Sequence, residues 1–139
     1  MFTQKVKYAL KALGYLAKYH EKGPILMSEI AREKQIPLRF LENIFLELKK
    51  NDYLTSYRGR AGGYTLAQSP EKITIAPIIR IINGPIAMLP CASINFYQKC
   101  EDCDESICGL NKIVIESRDA LLSVLEHKTL LDLIDQDIL

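Results

Sequence analysis

The sequence predicts a mainly α-helical fold with one small β-hairpin and a long helix near the C-terminus. Three observations predict it: apolar residues at helical spacing in the N-terminal part, two short alternating segments around a glycine-rich turn, and a second long helical period beyond residue 109. We expect three segments: a compact unit over residues 1–84, a cysteine-rich loop over 85–109, and a helix with a short tail over 110–139.

Three helices are predicted before residue 51. Residues 4–20 place apolar side chains three and four apart with lysines off that stripe, and Gly23-Pro24 supply a cap and a breaker. A short helix fits 27–34, and Pro37 stands at a favoured first-turn position for a third helix over 37–50. Two helices joined by a short turn, behind a supporting first helix, predict a helix-turn-helix. The inner face of the third helix is expected to be Phe40, Leu41, Ile44, Phe45 and Leu48.

A hairpin follows, because the helical period gives way to alternation in two short strands at 53–57 and 64–67. Residues 58–63, between the strands, contain three glycines together with Arg58 and Arg60. Tight hairpin geometry explains the glycines but leaves the arginines unexplained. The turn lacks a Gly-Lys-Ser/Thr ending and does not lead from a strand into a helix, which argues against a nucleotide-phosphate loop. With the three helices, the hairpin predicts a winged helix-turn-helix.

The C-terminal part is predicted to hold two more helices, over 75–83 and 110–125, separated by an irregular stretch. Thr129 with Asp132 three residues on is expected to cap a last short helix. A helix of sixteen residues spans roughly 24 Å, and in so small a chain it more often packs against a copy of itself in a twofold dimer. We therefore expect a homodimerisation helix with the stripe Leu110, Ile113, Val114, Ser117, Leu121, Val124 and Leu125.

The net charge of +1 hides two halves of opposite sign. Residues 1–64 hold twelve Lys or Arg against six Asp or Glu, giving +6, whereas residues 65–139 hold six against eleven, giving −5. A basic half favours a polyanion such as double-stranded DNA, while the acidic remainder limits indiscriminate binding. Solvated helix faces that merely differ in charge are an equally open explanation.

Neither a membrane span nor a secretory signal is expected from the sequence. No window approaches the required length of uncharged apolar residues, and the N-terminus has no apolar signal core or small-residue cleavage site. We therefore expect a cytoplasmic protein without a membrane partner. In that reducing compartment four cysteines are poor candidates for structural disulfides, which favours metal or redox chemistry.

The candidate DNA contacts lie at the start of the third helix and on the hairpin turn. In a helix-turn-helix the second helix of the pair enters the major groove with its N-terminal residues, where Arg can pair with guanine, Asn with adenine, and Glu can accept from cytosine. An ordinary solvated helix face is the alternative for each polar residue alone. The arginines of the turn would reach the minor groove or flanking phosphates, and lysines of the first helix the backbone. The predicted contacts are Arg39, Glu42, Asn43, Arg58, Arg60, Lys5, Lys7 and Lys11.

Four cysteines, Cys91, Cys100, Cys103 and Cys108, fall within eighteen residues with no strong secondary structure around them. Thiolates suit zinc or an iron–sulfur cluster, and four of them require a cation. Cys91 alone would also fit a buried free cysteine acting as a small hydrophobe. A redox disulfide switch is a further possibility, and a thiol redox enzyme using Cys100 and Cys103 a less favoured one, because no βαβ pattern surrounds that pair and its acidic neighbours raise a thiol pKa.

Two motifs of the chain are Ile36-Pro-x-x-Phe-Leu-Glu-x-Ile-Phe-x-x-Leu-Lys-Lys and the wing Ser56-x-Arg58-Gly59-x-x-Gly62-Gly63-Tyr64-x-Leu66-Ala67, and cysteines precede a long helix. In these features the chain resembles the Rrf2 family of regulators, of the IscR, NsrR and CymR type. The resemblance covers nearly the whole chain. It implies a homodimeric winged-helix regulator, with Glu42 and Asn43 at base-contacting positions and Arg58 as the minor-groove arginine of the wing. Many members sense iron–sulfur status, nitric oxide or redox state through a cluster.

The cysteine segment departs from the pattern of that family. Asn111 stands three residues after Cys108, where many members have a histidine ligand, and Lys7 stands roughly where others have an acidic ligand. The additional cysteine would then complete an all-thiolate site within one protomer. We expect a DNA-binding transcriptional regulator, not an enzyme, whose operator affinity follows a 2Fe-2S or 4Fe-4S cluster or the redox state of the thiols. A structural zinc site or a thiol/disulfide switch is the alternative, since Cys-x2-Cys is a common zinc half-site.

Overall fold

The computed structural model describes residues 3–134 and confirms a mainly helical fold with an antiparallel hairpin. Short 3-10 turns occur at His20–Lys22, Pro70–Lys72, Pro90–Ala92 and Leu130–Leu133. The helices are α1 Gln4–Lys18, α2 Met27–Lys34, α3 Leu38–Lys50, α4 Ile75–Asn83 and α5 Gly109–Leu125, and the strands are β1 Leu54–Tyr57 and β2 Gly63–Leu66.

Helix α1 begins with a side-chain cap, since Thr3 Oγ1 accepts the amide of Val6 at 3.3 Å. The helix ends at Lys18, two residues earlier than the sequence predicts, because His20–Lys22 tighten into a 3-10 turn before the chain reverses at Gly23. The apolar stripe of α1 is buried along its whole length, so α1 forms the centre of the core.

The predicted turn between α2 and α3 is present. Helix α2 ends at Lys34. The next residue, Gln35, adopts the left-handed conformation at φ 54° and ψ 49°, and the amide of Ile36 donates to the carbonyl of Ala31 at 2.9 Å. Pro37 lies just before α3 rather than within its first turn. One predicted core residue of α3 is wrong: Phe40 is exposed on the α1 side, where it packs edge-to-face on Tyr8 with ring centroids 5.5 Å apart.

The wing, defined as β1, β2 and residues 58–62 between them, is joined to the helices through Ile25. The amide of Tyr64 donates to the carbonyl of Ile25 at 2.8 Å, and the amide of Ile25 donates to the carbonyl of Tyr64 at 3.0 Å. Gly63 makes this approach possible, since a Cβ there would lie 2.5 Å from the backbone carbon of Ile25. The wing is therefore fixed to the segment that leads into α2.

The chain after α5 returns to the helical core, as a short β-bridge and a capped turn. Thr129 pairs with Thr74, the amide of Leu130 donates to the carbonyl of Ile73 at 3.0 Å, and Leu130 is fully buried. The predicted capping box of Thr129 and Asp132 is confirmed. The last turn lies against α1 beside Gly14, so the C-terminal part is anchored to the N-terminal helices.

Within the single chain, helix α5 does not pack through the whole of its predicted apolar stripe. It rests on α4 and on the Pro90–Ala92 turn through Val114 and Leu122, of which Leu122 is outside the predicted stripe. By contrast Leu110, Ile113 and Val124 of the stripe are more than half exposed. Part of the stripe is thus uncovered in the single chain, whereas Val114 is buried and Leu121 and Leu125 pack against the core.

Candidate functional site: a nucleic-acid interface and a cysteine cluster

The predicted base-reading residues lie on the outer face of α3. Arg39, Glu42 and Asn43 are exposed near the N-terminal end of this helix. Among residues 3–134 their side chains have no hydrogen-bond or ion-pair partner. The opposite face of α3 is buried in the core through Leu41, Ile44, Phe45 and Leu48, which holds the helix rigidly and leaves the polar face turned outward.

The two wing arginines border different grooves. Arg58 lines a groove of about 540 Å³ that it shares with Glu42 of α3. Arg60 lines a depression of about 670 Å³ on the other side, together with Tyr15 and Arg32. Only Arg58 is therefore continuous with the exposed face of α3.

The depression beside Arg60 is braced by a hydrogen bond between α1 and α2. Tyr15 donates its hydroxyl to Glu29 Oε2 at 2.7 Å. Burial, and then this bond, raise the pKa of Tyr15 well above its ordinary value. The hydroxyl therefore keeps its proton, and the bond ties the two helices together behind the wing.

The predicted lysine contacts lie along the N-terminal half of α1. Lys7 and Lys11 are exposed and Lys5 is half-buried. The contact between Tyr8 and Phe40 brings this end of α1 beside the start of α3. The lysine contacts with DNA stay a prediction.

The cysteines lie in the thiol loop, defined as residues 86–108, and the structure brings two of them into direct contact. Cys103 Sγ donates to Cys100 Sγ at 2.8 Å, and this bond raises the pKa of Cys103 to about 12. Cys108 contributes in the same direction through a weaker interaction with Cys103. Cys103 is exposed, whereas the other three thiols are half-buried.

The other two cysteines meet at Asn111, in the first turn of α5. The side-chain amide of Asn111 donates to Cys91 Sγ at 3.3 Å, and its backbone amide donates to Cys108 Sγ at 3.4 Å. Asn111 is only 7% exposed, an unusual burial for a polar side chain. This residue therefore joins the two ends of the thiol loop to the helix.

Glu105 fastens the outer part of the loop. It accepts the Tyr97 hydroxyl at 2.6 Å and the backbone amide of Cys100 at 2.8 Å. The bond from Tyr97, and then that from Cys100, lower the pKa of Glu105, while the same bond raises the pKa of Tyr97. Glu105 is thus held as a carboxylate that positions Cys100.

Arg118 makes the second connection between the loop and α5. Its guanidinium donates to the carbonyl of Ala92 at 2.8 Å and pairs with Asp119 at 2.8 Å. Ala92 and Ser93 are buried against the helix. The chain immediately after Cys91 is consequently fixed to α5 two helical turns beyond Asn111.

These residues match a thiolate-bound metal or cluster in their donor chemistry but not in a preformed geometry. The donor set suits one in its chemistry, because four sulfurs lie on one short segment and the thiols contact one another or a shared residue. Across residues 3–134, however, no three His, Cys, Asp or Glu side chains are arranged closely enough to hold a metal ion. The cysteine ligands therefore remain a prediction, and the fit concerns composition rather than a preformed geometry.

Sequence reasoning did not identify Asn111 and Arg118 as partners of the thiol loop. The signal for Asn111 was its position on the apolar side of a predicted helix, three residues after a cysteine. No sequence signal pairs Arg118 with Ala92, which is 26 residues away. Within the described part of the chain, no helix is long and apolar enough to cross a membrane.

Comparison with known proteins gives consistent matches along the chain. The sequence profile of the Rrf2 family, described as an iron-dependent transcriptional regulator, matches residues 2–136. An rrf2-like HTH-type transcriptional regulator of Rhodobacter capsulatus is 43% identical over 138 residues, which cover 96% of this chain and 92% of the relative. The regulator IscR of Yersinia enterocolitica is 28% identical over 138 residues, covering 99% and 81%.

A solved structure agrees with these matches. CymR, the global cysteine regulator of Bacillus subtilis, is similar to this chain with a TM-score of 0.79 and 32% identity, covering 96% of this chain and 95% of CymR. The match therefore covers nearly the whole length of both chains.

Proposed function

Because the chain belongs to the Rrf2 family of transcriptional regulators, we propose that it binds promoter DNA as a homodimer and that the state of its cysteine site controls the affinity. Its similar proteins are transcriptional regulators rather than enzymes. In this proposal residues 1–84 bind DNA, 85–109 respond to the signal, and 110–139 dimerise. The last five residues of that tail lie outside the described residues.

The observation that carries the DNA-binding proposal is the shared groove of Glu42 and Arg58. A base-reading helix and a wing arginine on one continuous surface match the way a winged helix spans a major groove and the adjacent minor groove. Arg39 and Asn43 flank Glu42 on the same exposed face. Lys5, Lys7 and Arg60 add positive charge for the phosphate backbone.

The exposed face of α5 supports the homodimer. Leu110, Ile113 and Val124 are 58%, 62% and 51% exposed, and large apolar side chains in a row favour a partner surface. A second α5 related by a twofold axis covers the same stripe on both chains. The two α3 helices then lie at a fixed separation, which must be about 34 Å for two major grooves on one side of the duplex.

Control by the thiol loop is supported by the connections of that loop to α5. Asn111 joins Cys91 and Cys108 to the first turn of the helix, and Arg118 holds the segment after Cys91. An iron–sulfur cluster bound by the cysteines would supply a redox-sensitive charge at this point. A change at the sulfurs alters what Asn111 can donate to, and therefore how the N-terminal end of α5 sits on the loop.

The return of the chain after α5 offers a route from the dimer helix to the DNA-binding unit. Residues 128–130 pair with 73–75 at the start of α4, and Leu130 is buried among the N-terminal helices. A displacement of α5 therefore acts on α4 and α1 through backbone bonds and buried apolar contacts. In the dimer, this changes the separation of the two α3 helices and with it the operator affinity.

The known relatives favour more than one signal. The family description is iron-dependent, and the regulator from Bacillus subtilis is described as a cysteine regulator. The close contact of Cys100 and Cys103 also favours a thiol/disulfide switch. Structural zinc remains the alternative, in which the loop holds its shape without sensing.

DNA binding is tested by selecting duplexes from a random-sequence library with the wild-type protein and measuring their affinity at several salt concentrations. We expect enrichment of a twofold-symmetric sequence and a steep loss of affinity with salt. Absence of any enriched sequence would refute the DNA-binding proposal.

The control function is tested on protein purified anaerobically, with iron, sulfide and zinc analysis and an absorption spectrum. We expect the affinity for the selected duplex to change by about five- to 100-fold between the reduced protein and the oxidised protein. Cys103→Ser, Cys108→Ser and Asn111→Leu should reduce that ratio to about twofold or less, whereas Asn95→Ala in the same loop should preserve it. Three results together would favour the structural zinc site instead. They are zinc in stoichiometric amount, no visible absorption, and a ratio of reduced to oxidised affinity that is the same in the cysteine variants as in the wild type.

A further inference from the structure

The groove shared by Glu42 and Arg58 has an apolar floor that the DNA-binding proposal does not explain. Leu26, Leu38 and Tyr57 line it, and they are 55%, 44% and 50% exposed. Polar side chains would be the ordinary choice on a surface that meets phosphates and water. Three large apolar side chains together therefore indicate contact with an apolar group.

The position of the groove limits what that group is. Leu38 is the first residue of α3, and the N-terminal residues of a recognition helix face the base edges in the major groove. The apolar group on a base edge in that groove is the C5-methyl of thymine. The proposed dimer surface is a different one, because no residue of α5 lines the groove.

The groove is also rigid before DNA arrives. Leu26 follows Ile25, whose backbone is paired with Tyr64 of the wing by bonds of 2.8 and 3.0 Å. Leu38 is fixed on the other side, because the same helix buries Leu41 in the core. The distance between the two walls is thus set by the fold, as selective recognition of a small group requires.

We infer that this groove is a thymine-reading site, in which Leu38, with Leu26 and Tyr57, packs against the methyl group of a thymine next to the base contacted by Glu42. The inference rests on the proposed function and adds to it a specificity for thymine over cytosine and uracil at that position. Arg58, on the rim of the groove, contacts the adjacent DNA backbone or minor groove. The methyl group then packs against Leu38, because it forms no hydrogen bond of its own.

The test uses the duplexes selected by the wild-type protein, resynthesised with deoxyuridine in place of each thymidine in turn. Deoxyuridine pairs like thymidine and lacks only the methyl group. We expect one or two positions in each half-site at which the substitution weakens binding by about fourfold, the loss for one buried methyl group. Leu38→Ala should bind the thymidine duplex more weakly and lose the discrimination at those positions.

Leu46→Ala is the matched control, because Leu46 is 54% exposed on the same helix and does not line the groove. This variant should discriminate as the wild type does. If the wild type binds its duplex but no deoxyuridine position matters, the inference is overturned while DNA binding survives. If light scattering shows that Leu38→Ala changes the oligomeric state, a second copy of the chain occupies the groove and the inference is likewise overturned.

Discussion

Gly63→Ala adds a single methyl group, and this group should break the connection between the wing and the helices. The φ of 140° at Gly63 lies in the region that side chains rarely adopt, and a Cβ there would be 2.5 Å from both the carbonyl carbon and the carbonyl oxygen of Ile25. Those atoms belong to backbone that is paired with Tyr64 in both directions, so they cannot rotate away as a side chain would. Gly63→Ala must therefore strain the residue and open the bridge.

The free energy of unfolding should fall by about 3–5 kcal/mol. Backbone strain at a disfavoured φ accounts for about 1–3 kcal/mol, and loss of two backbone hydrogen bonds adds about 1 kcal/mol each. A domain of this size is stable by only about 5–15 kcal/mol, so the variant is expected to be folded but weakened. DNA affinity should fall as well, because Arg58 and Glu42 no longer border one fixed groove.

Urea unfolding measures the first effect, and affinity for the selected duplex measures the second. Gly59→Ala is the matched control for strain, since its φ of 96° is also disfavoured but a Cβ there meets nothing within 4 Å. It should lose only about 1–2 kcal/mol. Gly109→Ala, which has neither strain nor contact, should stay within about 0.5 kcal/mol of wild type. The reasoning fails if Gly63→Ala is no less stable than Gly59→Ala.

Three further outcomes are expected. Arg58→Ala should weaken binding to the selected duplex by about tenfold or more, and Arg60→Ala by less, because only Arg58 borders the groove of α3; the reverse order in a titration would contradict the proposed interface. Leu130→Ala should lower the free energy of unfolding by about 2–5 kcal/mol, since its side chain is fully buried beside α1, and a change below 1 kcal/mol in urea, on the order of a surface substitution, would argue against that anchoring. Ile113→Glu should convert the dimer to monomers in light scattering while Lys112→Glu, off the stripe, should not; a dimer that survives Ile113→Glu would place the interface elsewhere.

Most elements of the fold follow from local pattern. The helical spacing in α1, the short turn before α3, the alternating wing and the Thr129–Asp132 cap are each encoded within a few residues, and the structure has each within about two residues of its predicted position. The structure differs from the prediction where contacts with other elements determine whether a side chain is buried. Phe40 matches the apolar period of α3 but lies at its edge, where Tyr8 of α1 covers one side of the ring.

The candidate site divides in the same way. The exposed face of α3 and the arginines of the wing are predictable, because the helical period fixes which side of α3 is buried. The sequence does not predict that Arg58 and Arg60 border different grooves, because this arrangement depends on the pairing of Tyr64 with Ile25. The role of Asn111 also escapes the sequence. Asn111 donates to both Cys91 and Cys108, and sixteen residues lie between these two cysteines along the chain.

The sequence alone determined the helix-turn-helix with its wing, the opposite charges of the two halves and the clustering of four cysteines. These depend on periodicity, composition and spacing, which are local properties of the chain. The tertiary structure decided that the thiol loop is joined to α5 through Asn111 and Arg118, that the segment after α5 returns to the core at Leu130, and that an apolar floor lies between α3 and the wing. Each is a contact between distant parts of the chain, and packing and hydrogen bonding select such contacts only when the chain has folded.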